Sequence, residues 1–109
     1  MPSGTSESLE LGVVVVAFHD IDTTLACLES LTRQNPPAAV LMLVDNTPSG
    51  RVAGAVSGRI PSVEILRAPT NPGYAAAVNL GVRQLVSRGL RYVLFLNNDV
   101  RLASWRTPR

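Results

Sequence analysis

The 109-residue sequence predicts an α/β fold built on a doubly wound, mostly parallel sheet. Two observations support this prediction. Nearly continuous runs of Val and Leu recur along the chain, and such runs are typical of strands that are buried on both faces. Segments with helical periodicity lie between these runs, as the right-handed crossovers of a parallel sheet require. We expect the strand order 3-2-1-4.

The predicted strands are apolar runs that end in polar residues. Three of the runs are nearly uninterrupted, whereas the third in chain order contains Glu64 and suits the edge of a sheet. The runs cover residues 11–18, 40–44, 63–66 and 92–96.

The segments between the strands predict helices of unequal strength. The first helix follows Asp22 and Thr23, which are good cap residues, and ends before Pro36. Residues 51–59 contain two glycines and predict at best a weak helix. The last helix is closed by Gly89, a natural C-cap residue. Its apolar face comprises Tyr74, Val78, Gly81, Val82, Leu85 and Val86.

The composition argues against several classes of protein. The net charge is only +2, and the ten basic residues are arginines spread along the chain, so we expect no nucleic-acid partner. No apolar run approaches the roughly 20 residues of a membrane helix, so we expect no transmembrane segment. Residues 1–10 lack the features of a signal peptide and are interpreted as a disordered leader. The lone Cys27 fits a small buried side chain in the reducing cytoplasm.

Polar residues follow three of the predicted strands. Because strands 2, 1 and 4 are neighbours in the expected order, these residues should share one rim of the sheet, where ligands of such folds bind. Asp45, after the second strand, is suited to accept N–H groups of a nucleobase. It also begins the sequence Asp-Asn-Thr-Pro-Ser-Gly, which is good turn chemistry, and a turn alone would explain it. His19, after the first strand, is more typical of a loop residue.

Asn97, Asn98 and Asp99 directly follow the fourth apolar run. A hard divalent cation prefers oxygen ligands and often bridges substrate phosphates while keeping several waters. One carboxylate and a diphosphate can therefore suffice to hold it, and Asp99 is the candidate ligand for Mg²⁺ or Mn²⁺. A turn, or a cap for a following helix, is the alternative.

Residues 71–73 lead into the last helix. Gly73 permits a tight turn, and the alanines that follow leave room for a ligand. A helix N-terminus favours phosphate, although a plain entry into an Ala-rich helix would explain the same residues. Asn79 is either an exposed helix residue or a hydrogen-bond donor to the rim.

Five segments, in this order and spacing, resemble the family 2 glycosyltransferases and most of all their rhamnosyltransferase-like branch. The likeness extends from about Leu11 to Val100. The segments are VVVVAF from Val13, CLESL from Cys27, LVDN from Leu43, NPGYAAAVNLG from Asn71 and LNND from Leu96.

The resemblance implies a GT-A fold and transfer of a sugar from a nucleoside-diphosphate sugar, with TDP, UDP or GDP as the nucleotide. The acceptor would be a glycan or lipid-linked hydroxyl in cell-wall or surface polysaccharide synthesis. A base would deprotonate this hydroxyl, and Mg²⁺ or Mn²⁺ would stabilise the leaving diphosphate. Such a protein is expected in the cytoplasm or at the inner face of the membrane.

The resemblance also implies roles for individual residues. Ala17 and Phe18 would line the nucleobase pocket, and Asp45 would bind the base or ribose. Asp99 would be the metal-bound aspartate of the DxD-type motif, whose first acidic position is Asn97 in this sequence. Asn71, Gly73 and Asn79 would shape the nucleotide side of the site, and Asn98 would be a further substrate-binding residue.

The end of the sequence departs from the family pattern. Such enzymes continue with strands that carry the acceptor site and the catalytic base, and residues 104–109 do not resemble that continuation. Asp20 and Asp22 lie at the wrong part of the pattern, so the catalytic base stays unknown. We expect residues 11–103 to be the nucleotide-sugar-binding part of a truncated transferase domain, inactive alone. A remnant that binds nucleotide, or nothing, without turnover is the alternative.

Two other classes share this type of sheet. A nicotinamide-dependent dehydrogenase needs a glycine-rich turn after the first strand, and residues 18–22 contain no glycine. A phospho-receiver signalling domain relies on a lysine near its phospho-acceptor aspartate, and the sequence contains no lysine. Both alternatives are therefore less consistent with the sequence.

Overall fold

The computed structural model describes residues 9–68 and 73–101. Asn71, residues 102–109 and residues 1–8 of the predicted leader lie outside these ranges. The other two residues of that leader, Leu9 and Glu10, begin the first strand instead. Strands and helices alternate in the order β1 (Leu9–Ala17), α1 (Ile21–Thr32), β2 (Ala38–Asp45), α2 (Arg51–Arg59), β3 (Glu64–Arg67), α3 (Tyr74–Ser87) and β4 (Tyr92–Asn97).

The strands form one parallel sheet in the order β3-β2-β1-β4, which confirms the predicted topology. Ala17 of β1 lies opposite Asp45 of β2, and Val16 lies opposite Asn97 of β4. Arg67 of β3 lies opposite Asp45. The carboxyl ends of all the paired strands therefore meet at one rim, as expected for a ligand-binding parallel sheet.

The sheet separates two apolar clusters, because successive side chains of a strand point to opposite faces. Helices α1 and α2 cover one face, and α3 covers the other. The first cluster includes the fully buried Val13, Val15, Leu28, Leu43, Val52 and Val56. The second includes the fully buried Val14, Val44, Ala77 and Leu85. This double burial explains the uninterrupted apolar sequence of β1.

Helix α3 lies close to the sheet because glycines occupy the contact. A Cβ atom at Gly81 would lie 2.7 Å from Val14 Cγ1 and 2.9 Å from Val44 Cγ2. A Cβ atom at Gly12 would lie 2.7 Å from Leu85 Cδ1. Carbon atoms at optimal contact are roughly 3.5–4.0 Å apart, so a larger residue at either position would push α3 away.

Helix α1 begins earlier than predicted. Its N-cap is Asp20 rather than Asp22 or Thr23. The Asp20 carboxylate accepts hydrogen bonds from the Thr23 hydroxyl at 2.6 Å and from the Thr23 N–H at 3.1 Å. These two bonds lower the pKa of the Asp20 carboxyl. The side chain of Asp20 is therefore used to start the helix.

The prediction that residues 51–59 form a weak helix at best was wrong, because α2 is a regular helix of 9 residues. Val52 and Val56 lie one turn apart and are both fully buried. Packing of this face offsets the low helix propensity of Gly54 and Gly58.

Strand β4 lies at the edge of the sheet that the described residues form. Tyr92, Leu94 and Phe95 are 62%, 38% and 51% exposed.

Val86 of α3 is also 58% exposed, so its predicted place on the buried helix face was wrong. Consecutive helix residues are about 100° apart, and the buried Leu85 takes the position that faces the sheet. No helix in the described part of the chain is long and apolar enough to cross a membrane.

Candidate functional site

The candidate site is the rim of the sheet, defined as the carboxyl ends of the strands together with the N-terminus of α3. The predicted residues that it brings together are Ala17, Phe18, Asp45, Gly73, Asn98 and Asp99. Further residues at the rim, which the sequence did not single out as ligand-binding, are Asn46, Arg67, Tyr74 and Asn97.

Asp45 is fully buried at the end of β2. Its Oδ1 accepts hydrogen bonds from the Thr47 N–H at 2.9 Å and from the Thr47 hydroxyl at 2.5 Å. Its Oδ2 accepts a hydrogen bond of 2.7 Å from the Ala53 N–H. The carboxylate thus holds the turn after β2 and satisfies an N–H group in the first turn of α2.

The N-cap residue of α2 is Gly50, which has no side chain to cap the helix. Asp45 supplies the missing acceptor from eight residues upstream. A carboxylate at a helix N-terminus also interacts favourably with the helix dipole. The turn interpretation of Asp45 therefore has a structural basis, and direct contact with a base or ribose stays a prediction.

Arg67 covers the turn that Asp45 organises. Its Nη2 donates hydrogen bonds to the carbonyl of Thr47 at 3.1 Å and to that of Pro48 at 3.4 Å. Its Nε lies 3.9 Å from Asp45 Oδ2. The sequence contained a signal for this role, because Arg67 is the last residue of β3 and the ends of the strands form the rim.

Asn46 is only 1% exposed. Among the described residues, its Oδ1 and Nδ2 atoms have no hydrogen-bond partner. Its backbone is engaged, since the Asn46 N–H donates to the Ala17 carbonyl at 2.9 Å. The neighbouring residues Asp45 and Asn46 therefore differ in their hydrogen bonding. Both carboxylate oxygens of Asp45 accept hydrogen bonds, whereas the Asn46 side-chain amide has no partner among the described residues.

Two aromatic rings and an amide connect β1, α3 and β4 on one face of the rim. Phe18 and Tyr74 are stacked, with ring centroids 5.9 Å apart and an interplanar angle of 25°. The Tyr74 hydroxyl donates a hydrogen bond to Asn97 Oδ1. Phe18 and Tyr74 are both half-buried, so part of this aromatic pair stays accessible beside polar groups.

Asn98 turns towards the opposite face of the sheet. Its Nδ2 donates a hydrogen bond of 3.0 Å to the hydroxyl of Thr24, which is fully buried in α1. The Thr24 hydroxyl in turn donates to the Asp20 carbonyl at 2.7 Å. These bonds tie the segment after β4 to the start of α1, and the substrate-binding role predicted for Asn98 stays a prediction.

Asp99 is exposed at the end of the rim that β4 provides. No hydrogen bond or ion pair joins its carboxylate to any residue within 9–68 or 73–101. The same residues contain no group of three or more His, Cys, Asp or Glu side chains that would hold a metal ion. A cation here would need oxygen ligands from a substrate as well as from Asp99.

The N-terminus of α3 lies beside these residues. Gly73 is its N-cap with φ 98° and ψ 165°, a conformation that L-residues rarely adopt and that glycine permits. Within the described part of the chain, no side chain caps this end of the helix. Asn79 is exposed on α3, and the binding role predicted for it stays a prediction.

Cys27 packs beneath the segment that follows β4. Its thiol donates a weak hydrogen bond of 3.8 Å to the Asn97 carbonyl. Burial raises the pKa of the Cys27 thiol to about 11. The residue is fully buried and behaves as a small apolar side chain, as expected from the sequence.

The comparison with known proteins agrees with this geometry. Residues 12–104 match the sequence profile described as Glycosyl transferase family 2. The chain belongs to glycosyl transferase family 2. A similar curated protein is an "Uncharacterized glycosyltransferase" of Haemophilus influenzae, with 34% identity over 89 residues. The match covers 82% of this chain but only 29% of that protein, so the chain spans less than a third of the length of this relative.

Proposed function

We propose that this chain forms the nucleotide-binding part of an enzyme that transfers a sugar from a nucleoside-diphosphate sugar to an acceptor hydroxyl. Membership of glycosyl transferase family 2 supports transfer of a glycosyl group. The observation that carries the nucleotide assignment is the register of the sheet. It brings the residues after β1, β2 and β4 to one rim, beside two aromatic rings and a carboxylate, that of Asp99, which has no partner among the described residues.

The base would lie towards β1 and β2, against the half-buried ring of Phe18. Ala17 is fully buried in the cluster on the opposite face of the sheet, so it would support the pocket without contacting the base. Asp45 would support this pocket chiefly by holding the turn after β2, because its carboxylate already accepts bonds from Thr47 and Ala53. Asn71 and Asn79 are proposed at the nucleotide as well, and Asn71 lies outside the described residues.

The diphosphate would lie between the N-terminus of α3 and Asp99. The uncapped N–H groups that follow Gly73 suit an anion, because a helix N-terminus carries a partial positive charge. The Asp99 carboxylate, which pairs with none of the described residues, would be one ligand of Mg²⁺ or Mn²⁺, with the phosphates and waters as the others. When bound, the cation would supply charge stabilisation for the leaving diphosphate.

The donor nucleotide is proposed to be UDP-, TDP- or GDP-linked, and the acceptor a glycan or lipid-linked hydroxyl. A rhamnosyltransferase-like activity in cell-wall or surface polysaccharide synthesis is the more specific form of the proposal. Within the described residues we assign no catalytic base, since the Asp20 carboxylate is used to cap α1.

Calorimetric titration of the chain with UDP, TDP and GDP, with and without MgCl₂ or MnCl₂, tests this proposal. We expect binding of at least one of these nucleotides and tighter binding with metal. A matched control is Glu29→Gln, because Glu29 pairs with Arg59 away from the rim and its loss should leave binding unchanged. Absence of binding for all three nucleotides in the presence of metal would contradict the proposal.

A further inference from the structure

Asp99 lies in a tight turn that follows β4. The turn is closed by a hydrogen bond of 3.2 Å from the Val100 N–H to the Asn97 carbonyl. The side chains of the two residues before Asp99 bond to opposite faces of the sheet, Asn97 to α3 and Asn98 to α1. The backbone that carries the Asp99 carboxylate is therefore anchored on both faces just before it.

The two anchors lie in different surroundings. Asn98 bonds the hydroxyl of Thr24, which is fully buried between α1 and the sheet. Asn97 is exposed, and its Oδ1 accepts its hydrogen bond from the hydroxyl of the half-buried Tyr74. The bond from Tyr74 is therefore the anchor that lies on the accessible side of the rim.

The ring of Tyr74 is itself held in place. Tyr74 is the first residue of α3, directly after the N-cap Gly73, and its ring is stacked on Phe18 after β1. A side chain that is already ordered by packing loses little further conformational entropy when it forms a hydrogen bond. The hydroxyl of Tyr74 can therefore fix Asn97 relative to β1 and α3.

The amide of Asn97 fits the role of an anchor. An asparagine side chain contains one oxygen, and that of Asn97 already accepts from Tyr74. Asn97 is the last residue of β4, so a fixed Asn97 side chain also fixes the start of the turn that leads to Asp99.

This anchor connects the two groups between which the diphosphate is proposed to lie. Tyr74 belongs to the N-terminus of α3, and Asn97 lies two residues before Asp99. A ligand that contacts both groups binds best when their separation is already set, and residues behind a metal ligand commonly set its orientation.

We propose that Tyr74 is a positioning residue that acts through Asn97 to hold the Asp99 carboxylate at a fixed distance from the N-terminus of α3. This inference rests on the proposed function, because it concerns the binding of a nucleoside diphosphate together with a cation at Asp99.

The test compares Tyr74→Phe with the matched control Tyr92→Phe. Phe keeps the ring that stacks on Phe18 and removes only the hydroxyl. Tyr92 is 62% exposed at the opposite end of β4. Calorimetry with UDP, TDP and GDP, with and without Mg²⁺, measures binding. We expect Y74F to weaken binding by about three- to tenfold with Mg²⁺ and by less than about twofold without it. Y92F should bind like the wild type in both conditions.

Double variants test whether Tyr74 acts through the two named residues. In an Asp99→Ala background, Y74F should cause no further loss, because the carboxylate that it positions is absent. Asn97→Ala should reproduce the effect of Y74F, and Y74F combined with N97A should lose no more than either alone. Additive losses would overturn the inference.

Two further binding results would contradict the inference while the proposed function stands. If Y74F binds nucleotide like the wild type in the presence of Mg²⁺, its hydroxyl does not position the site. If Y74F weakens binding equally with and without Mg²⁺, Tyr74 supports the fold rather than Asp99. If the wild-type chain binds no nucleotide, the proposed function fails and the inference fails with it.

Amide hydrogen exchange of the ligand-free chain gives a readout that does not depend on nucleotide. The Val100 N–H closes the turn, so it should exchange faster in Y74F and in N97A than in the wild type, and at the wild-type rate in Y92F. Unchanged exchange of the Val100 amide in both Y74F and N97A would overturn the inference.

Discussion

The backbone N–H of Ala53 donates a hydrogen bond of 2.7 Å to the buried carboxylate of Asp45, eight residues earlier in the chain. This single bond connects the end of β2 to the first turn of α2. It holds the loop between β2 and α2 in a fixed conformation. The same loop borders the pocket that the proposed function places beside β2.

Replacement of Asp45 by Ala should therefore destabilise the protein. The change removes three acceptor contacts. It leaves the N–H and hydroxyl groups of the buried Thr47 and the N–H of the half-buried Ala53 without this acceptor. Hydrogen bonds to charged groups contribute about 1.5–3 kcal/mol each, and losses within one network are not additive, so we expect a total loss of roughly 2–4 kcal/mol. Urea unfolding measures it.

Glu29→Ala is the control for this prediction. Glu29 pairs with Arg59 at 3.0 Å, but both side chains are at least a third exposed. Exposed ion pairs contribute only about 0–1 kcal/mol, so E29A should lie within that range. A D45A protein as stable as E29A would contradict the structural role of the carboxylate.

The bond between Asp45 and Ala53 also explains why the sequence did not predict a regular helix at α2. Helix propensity is a local property, and Gly54 and Gly58 argue against a helix. The low helix propensity of these glycines is offset by the hydrogen bond to Asp45 and by burial of Val52 and Val56. Both effects depend on tertiary contacts. By contrast, β1 was predictable, because burial on both faces leaves a continuous apolar sequence.

The sequence predicted which residues lie at the rim, but not the contacts of their side chains. Strand order and strand ends sufficed to bring Asp45, Asn98 and Asp99 together. They did not reveal that Asn98 bonds Thr24 on the other face of the sheet. Nor did they reveal that the buried Asn46 side chain has no hydrogen-bond partner among the described residues. Side-chain direction after the end of a strand depends on the loop backbone, which no local pattern specifies.

The close contact of α3 with the sheet predicts opposite effects for two glycine substitutions. Gly81→Ala places a methyl group against the buried Val14 and Val44, so it should destabilise by about 1–3 kcal/mol despite the higher helix propensity of Ala. Gly54→Ala adds a methyl group in open space within α2 and should stabilise by roughly 0.5–1 kcal/mol. Thermal and urea unfolding of both variants check the signs. Stabilisation by G81A would mean that α3 does not pack as described.

The Glu64–Arg88 ion pair predicts a pH-dependent contribution to stability. The Arg88 guanidinium, by hydrogen bonding and charge, holds the pKa of Glu64 below its usual value. A carboxyl with a lower pKa in the folded state stabilises that state above its unfolded pKa of about 4.3, and the contribution is lost as pH falls through the folded pKa. Wild type should therefore exceed Glu64→Gln in unfolding free energy at pH 6, and the difference should shrink as the pH falls below the unfolded pKa. A difference that does not depend on pH would refute this assignment.

The exposed side of β4 predicts association between copies of the chain. Leu94 and Phe95 are 38% and 51% exposed on opposite faces of this edge strand, and an apolar edge with unpaired backbone groups favours pairing with another strand. Sedimentation velocity at several concentrations should show concentration-dependent association. Leu94→Lys should reduce it, while Val86→Lys, at an exposed helix position, serves as a control. A monomer at all concentrations would show that the edge is protected.

The central claim is that the rim binds a nucleoside diphosphate through a metal held by Asp99. The most direct test is calorimetric titration of wild type and Asp99→Ala with UDP, TDP or GDP, each with and without Mg²⁺. Mg²⁺ should tighten binding to the wild type by about tenfold, equivalent to roughly 1.4 kcal/mol, and should give little or no gain in D99A. An equal gain from Mg²⁺ in both proteins would contradict the metal-binding role of Asp99 and the arrangement of the nucleotide proposed around it.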